Sequence, residues 1–418
     1  MRRARPPVAR RRHPRRRSAI RAARVLSLAA RTMSRPTAPF REGAVIAWVR
    51  RFAAARPHLH LGEDPDGNLL LRRRGVRRSA SPLVLGAHMD HPGFRALRST
   101  PVSGARPGRA ARWRVEALFL GGVHPRCFPG ARARFFLPEP DGSLRSDVGD
   151  VPARVLAARP DPASGELRVE LEARAPVPPG AFGTWDLVPF RRAPRDPDLL
   201  ETRAADDLAG VAAILALLDA IDEIDPARRV DVQGLFTRAE EVGFVGAVAV
   251  ARARRLPPGA RIVAVEASKA LPNARQGDGP ILRVGDRTSI FDDGLTRWIA
   301  RVGTELAGPA GRGGAERFRW QRRLMDGGTC ESTAYQLYGY RCAAMCLPLG
   351  NYHNMTDGGR IAAESIRLSD LVGLVRFFEG LVRRDGDCPR RGRRDPLRRR
   401  LEQRYRRSAR DLARDPFA

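Results

Sequence analysis

At 418 residues, 43% of them apolar, the chain is long enough for two domains and a substantial core. It contains no run approaching the ~20 apolar residues of a membrane-spanning helix, so no membrane partner is expected. The net charge of +30 sits mostly at the ends: residues 1–40 hold 13 arginines and no acid, and residues 383–418 hold 14 arginines against 6 acids. The part between is only mildly basic, and nucleic acid is not expected as a partner.

Residues 1–40 lack an apolar stretch followed by a cleavage site. The segment reads as a basic, disordered extension outside the fold, either an organellar transit peptide or the product of a start earlier than Met33, the second being favoured. From Glu42 the spacing of Val45, Trp48, Val49 and Phe52 predicts a helix. A turn cluster at Asp64–Asn68 leads into a strand at Leu69–Leu71, and Pro82–Ala87 is a short apolar run ending at His88-Met89-Asp90.

Residues 96–195 alternate short β-like runs (112–120, 131–137 and 166–173) with Gly/Pro/Asp turns, the pattern of an inserted β-barrel or sandwich. Helical periodicity returns at Asp206-Asp207-Leu208, where two acids at a helix start suit its free N–H groups and dipole. Strands are expected at 230–236, 262–265 and 343–347, and a final amphipathic helix through Leu371, Leu374, Val375, Phe378 and Val382, capped by Ser369. Residues 383–418 form a basic tail. The expected organisation is an α/β catalytic domain in two pieces, 41–95 and 196–382, carrying an all-β insert.

Five cysteines (127, 330, 342, 346 and 388) are odd in number and scattered, which argues against a disulfide framework and fits a reducing, cytoplasmic setting. Cys342 and Cys346 read as small core residues.

Chemistry collects behind the apolar runs, at the carboxyl ends of the expected strands. One run delivers His88, the next Glu240 and Glu241, the next Glu266, and the last leads through Pro348-Leu349-Gly350 to His353; Asp206 opens a helix in between. Two imidazoles and three carboxylates suit a pair of divalent ions, Zn²⁺, Co²⁺ or Mn²⁺, sharing one bridging aspartate.

The segment Ala87-His88-Met89-Asp90-His91-Pro92-Gly93-Phe94 resembles the His-x-Asp-Glu-x-Gly-Phe segment of the M42 family of metallo-aminopeptidases. Ala205-Asp206-Asp207-Leu208-Ala209-Gly210 is similar to its Asp-Asp-Arg-x-Gly segment, and Glu240-Glu241-Val242-Gly243-Phe244-Val245-Gly246-Ala247 to its Glu-Glu-Val-Gly-x-Arg-Gly-Ala block, the most specific match. Gly327-Gly328-Thr329 and Tyr352-His353 resemble its Gly-Gly-Thr-Asp and Tyr-x-His segments, and Gly121-Gly122-Val123 and Pro178-Pro179-Gly180 its inserted β-domain. The resemblance spans about residues 42–382.

It implies a mixed-sheet, phosphorylase/hydrolase-like α/β catalytic domain with helices on both faces and a small inserted barrel. It also implies aminopeptidase action on peptide substrates and assembly into a homo-oligomer. His88, Asp206 and Glu266 would hold one ion, and Asp206, Glu241 and His353 the other. Asp90 would orient His88, and Glu240 would be the general base. The chain departs from the family pattern at Glu266 (usually Asp), His91 (Glu), Leu208 (Arg), Val245 (Arg) and Cys330 (Asp). Two alternative readings are an M20-like metal-dependent deacylase or carboxypeptidase, and a non-catalytic basic binding protein. The all-β insert and the Glu-Glu-Val-Gly block argue against the first, and the intact ligand set against the second.

Overall fold

The computed structural model describes residues 18–102, 111–137, 144, 149–162, 165–308, 318–389, 401–403 and 406. In chain order the helices are α1 (Ala22–Met33), α2 (Gly43–Ala54), α3 (Leu208–Asp219), α4 (Ile221–Ile224), α5 (Val245–Arg252), α6 (Asp293–Ala307), α7 (Glu331–Leu337) and α8 (Leu368–Arg383). The strands before α3 are β1 (Leu59–Glu63), β2 (Leu69–Arg73), β3 (Leu83–His88), β4 (Gly93–Pro101), β5 (Trp113–Leu120), β6 (Arg132–Phe136), β7 (Val151–Pro160), β8 (Leu167–Ala173), β9 (Phe182–Trp185), β10 (Phe190–Ala193) and β11 (Asp196–Thr202). After it come β12 (Val232–Thr237), β13 (Arg261–Lys269), β14 (Ile281–Gly285), β15 (Gln321–Leu324), β16 (Arg341–Leu349) and β17 (Glu364–Arg367).

Eight strands form one mixed sheet in the order β1-β2-β12-β3-β13-β16-β14-β15. Its middle, β12-β3-β13-β16, is parallel, and the flanking pairs β2–β12 and β14–β16 are antiparallel. Residues of β3, β12 and β16 are buried throughout, which is why β3 and β16 read as mostly apolar runs, while β12 also buries Gln233 and Thr237. Helices cover both faces. On one side α3, apolar all round, is enclosed by α1, α8 and the sheet; on the other, α5 and α7 pack over Val84, Leu235, Ile262 and Cys342.

Helix α1 corrects the exclusion of residues 1–40 from the fold. Val25, Leu28, Ala29 and Met33 are buried against the core, Thr32 accepts a hydrogen bond from Trp48 Nε1 at 2.9 Å, and Arg24 pairs with Asp219 of α3 at 2.5 Å. Only Arg24 and Arg31 of the 13 arginines in residues 1–40 lie in this helix, whose apolar stripe packs it onto the core. Residues 1–17, and most of the tail beyond Pro389, lie outside the described residues.

Six strands close a barrel in the order β4-β5-β8-β7-β6-β9, so the insert is a barrel rather than a sandwich. Its core stacks Phe94, Phe119, Phe128 and Trp185 largely edge to face, with Phe94 4.8 Å from Trp185 and Phe119 4.8 Å from Phe128. The barrel strands lie between Gly93 and Trp185; β10 and β11 leave it and pair with β17 in a separate three-stranded sheet.

Ser369 does not cap α8. It lies within the helix, and its N–H and hydroxyl both donate to Asp198 of β11, at 2.9 and 2.7 Å. Strand β17 runs directly into α8, so the acceptor for the free N–H comes from a neighbouring strand instead of from the chain just before the helix.

Candidate metal centre

The four central parallel strands deliver their polar residues to one edge of the sheet. Thr237 lies in register with His88, and Glu266 with Cys346, so the ends of β12, β3, β13 and β16 converge. Asp206 arrives from the other direction, just before α3. The two adjacent aspartates divide: Asp207 is the N-cap, accepting from Gly210 N at 3.1 Å, and Asp206 turns its carboxylate into the centre. A Cβ at Gly210 would come within 2.3 Å of the Asp207 carboxylate, so the cap requires glycine there.

Asp206 stands between the two imidazoles, with Oδ1 3.5 Å from His88 Nε2 and Oδ2 3.7 Å from His353 Nε2. Glu266 Oε2 is 4.0 Å from His88 Nε2, and Glu241 Oε2 is 3.3 Å from His353 Nε2. Glu240 Oε2 lies 4.0 Å from His88 Nε2, on the same side as Glu266. Ligand atoms of His88, Asp206 and Glu266 all fall within 4.8 Å of one another, as do those of Asp206, Glu241 and His353. Asp206 belongs to both sets. A third set, His88, Glu240 and Glu241, meets the same limit.

The surroundings aim these side chains. The His88 ring faces Asp90, with Nδ1 3.2 Å from its carbonyl and 3.4 Å from Oδ1. Asp90 accepts from the N–H groups of Glu240 and Glu241 at 2.9 and 3.1 Å, so one buried carboxylate ties two strand ends together. His353 Nδ1 meets the Gly122 carbonyl at 2.8 Å. This contact, from the segment between β5 and β6, leaves Nε2 to face the centre.

Burial pushes the carboxyl pKa values of Glu240, Glu241 and Glu266 above the ordinary range, Glu266 to about 8, and neighbouring acids add to each. Burial also favours a neutral His88, but Glu240, Asp206 and Asp90 around it raise its pKa well above the usual value. Glu241 Oε1 and Glu266 Oε1 are buried with no hydrogen-bond partner. Buried carboxyl groups crowded together, two with an unpartnered oxygen, are costly as they stand, and bound cations would relieve that cost. The donor set of imidazole and carboxylate suits the borderline divalent metals.

Three departures from the family pattern have places in the structure. His91 meets the Asp206 carbonyl at 2.7 Å and Asn354 Oδ1 at 3.0 Å, and burial lowers its pKa to about 4, so it is neutral near pH 7. Cys330 is buried behind Glu266, its thiol pKa raised by burial. Leu208 is a buried core residue of α3.

Sequence reasoning missed Glu364, Glu42 and Gly122. Glu42, fully buried, accepts from the N–H groups of Phe40 and Ala239 and pairs with Arg238 Nε at 2.8 Å, holding the loop before Glu240. In the sequence Glu42 marks only the start of a helix and Gly122 only part of the Gly121-Gly122-Val123 match; the contacts that matter here join groups distant in sequence.

Among curated protein sequences there is no match. Three solved structures share the fold: Pyrococcus horikoshii TET1 peptidase (19% identity, TM-score 0.65, covering 86% of this chain and 99% of that one), aminopeptidase APDkam598 from the archaeon Desulfurococcus kamchatkensis (19%, 0.66, 87% and 95%), and the TET aminopeptidase of the marine sediment archaeon Thaumarchaeota archaeon SCGC AB-539-E09 (18%, 0.64, 86% and 97%). The family profile for M42 glutamyl aminopeptidases matches residues 115–364, from β5 of the barrel through α3 and the parallel strands β12, β13 and β16 to the start of β17. With that match over more than half its length, this chain belongs to the M42 family and is a metal-dependent peptide hydrolase.

Proposed function

We propose that this peptidase is a dinuclear aminopeptidase releasing N-terminal residues from peptides. The observation that carries the reading is that Asp206 is shared by two ligand trios, one with His88 and Glu266 and one with Glu241 and His353. These trios would hold Zn²⁺, Co²⁺ or Mn²⁺. Two such ions, when bound, lower the pKa of a water and polarise a scissile carbonyl. Glu240 is the general base: buried beside His88, its carboxylate takes a proton from the attacking water and returns it to the leaving amine. Asp90 keeps His88 in orientation and fixes the backbone from which Glu240 extends.

The working body is residues 41–95 and 196–382, extended by the packed segment from Ser18, with the barrel as its insert. Four buried cysteines, all five free, accord with a reducing cytoplasm. The assembly named for Pyrococcus horikoshii TET1, a tetrahedron or a large octahedral shell, makes a homo-oligomer the expected state here too. Light scattering is expected to return a multiple of the single-chain mass; a monomer would refute assembly.

Elemental analysis combined with Glu240→Gln tests the chemistry. About two ions per chain are expected in both proteins, with turnover on aminoacyl-p-nitroanilides at least ~10²-fold lower in the variant, the size of a lost positioned base. Undiminished turnover would remove Glu240 from the mechanism. Cleavage of N-acetyl amino acids alone would instead indicate the deacylase reaction.

A further inference from the structure

Glu364 has no place in the chemistry above, yet it is fully buried beside the centre and both of its oxygens are engaged. Oε1 accepts from His353 N at 2.9 Å, and Oε2 accepts from Ala205 N at 2.7 Å and Asp206 N at 3.1 Å. One carboxylate therefore grips the backbone of two candidate ligands that lie 147 positions apart in the chain. The topology explains why it can. Glu364 opens β17, directly opposite Thr202 of β11, and Asp206 follows four residues after Thr202. Its neighbour Ser365 bridges to Gly350, three residues before His353. Strand β17 thus runs between the two segments that carry these ligands.

The backbone at His353 needs such a hold. Asn351, His353 and Asn354 have φ of 54°, 53° and 62°, a left-handed conformation that non-glycine residues adopt only when their surroundings impose it. Other groups share the frame: Asn354 donates to the Arg203 carbonyl at 3.1 Å, and His91 Nε2 lies 4.0 Å from Glu364 Oε1. Only Glu364, among the described hydrogen bonds, reaches both Asp206 N and His353 N.

We propose that Glu364 is a positioning residue for the second ion site: by holding the backbone of Asp206 and His353 together, it sets the geometry of the Asp206–Glu241–His353 trio. The inference rests on the dinuclear reading. Two of that trio's three members are gripped by Glu364, against one of three in the His88–Asp206–Glu266 trio, so its loss falls unequally on the two ions. Glu364→Gln keeps the size of the side chain and replaces one acceptor oxygen with a donor that would face a backbone N–H.

The test is calorimetric titration of the metal-stripped, full-length protein with Zn²⁺, alongside circular dichroism of the metal-free form. In Glu364→Gln one of two binding steps is expected to weaken by about 10–100-fold, the usual effect of losing a group that orients a ligand, with the other changed far less. Glu364→Asp, which keeps the carboxylate one methylene short, is expected to fall between the variant and wild type. It also serves as the assay if the glutamine variant does not fold. Two unchanged steps, or two steps weakened equally, would overturn the proposal. Wild-type protein taking up a single ion would refute the dinuclear reading itself, a result distinct from either of these.

Discussion

At the scale of single residues the centre is an electrostatic problem. Glu240, Glu241, Glu266, Asp206 and Asp90 crowd around His88, and burial removes the water that would screen them. The pH dependence of the metal-free fold follows. Glu266 holds its proton to about pH 8, whereas an unconstrained glutamate releases it near 4.5. His88 likewise stays protonated above its ordinary 6.5. His91 and His353, both shifted downward, mostly by burial, are neutral above pH 7 in the folded chain and largely so when unfolded. Above pH 7 the folded state therefore binds more protons than the unfolded one, and stability falls as pH rises. In chelator, the melting temperature is expected to drop from pH 7 to pH 8.5, with a larger rise on adding Mn²⁺ at the higher pH, because ligands must be deprotonated to bind. A flat or rising profile in chelator would mean that these groups do not carry the shifts ascribed to them.

Among the elements, α1 matters most for how the chain should be delimited. It packs on α3, the apolar helix whose first turn follows Asp206, so the N-terminal segment supports the wall behind the centre. Leu28 is 2% exposed. Leu28→Ala should cost about 2–5 kcal/mol, the usual range for emptying a core leucine site. A chain started at Met33 should lose more and melt at a lower temperature, since the apolar face of α3 and the indole of Trp48 would lose their cover. Equal melting temperatures for the full chain and the Met33 start would show that α1 is dispensable.

For the molecule as a whole, the barrel and the body meet at a candidate ligand, His353. The Gly122 carbonyl, just beyond β5, is the partner of His353 Nδ1, so the insert helps to aim a side chain of the catalytic body. A Cβ at Gly122 would lie 3.4 Å from His353 Nδ1, ordinary contact, which an alanine tolerates. The branched side chain of Gly122→Val would add two methyl groups to a Cβ whose nearest neighbour is the His353 ring. It should turn the imidazole and weaken uptake of one ion about 10-fold or more, with the barrel still folded. Ion affinity equal to that of Gly122→Ala would remove the barrel from any part in ligand orientation.

Much of this architecture was legible along the chain. Buried parallel strands are mostly apolar, so β3, β12, β13 and β16 announce themselves as short runs, and the residues that follow them emerge at the sheet's edge. That is why His88, Glu240, Glu241, Glu266 and His353 could be expected to gather at one edge before any fold was known, and they do lie together there. Helix α1 was hidden because arginine-rich composition around it masked the buried stripe of a twelve-residue helix. Glu364, and the part Gly122 plays, were hidden for a deeper reason: each acts by hydrogen bonding to groups far away in sequence, and backbone N–H and C=O groups are identical at every non-proline position. Local periodicity records which side of an element is buried. Which carboxylate closes on which distant amide is decided only when β11, β16 and β17 come to lie side by side.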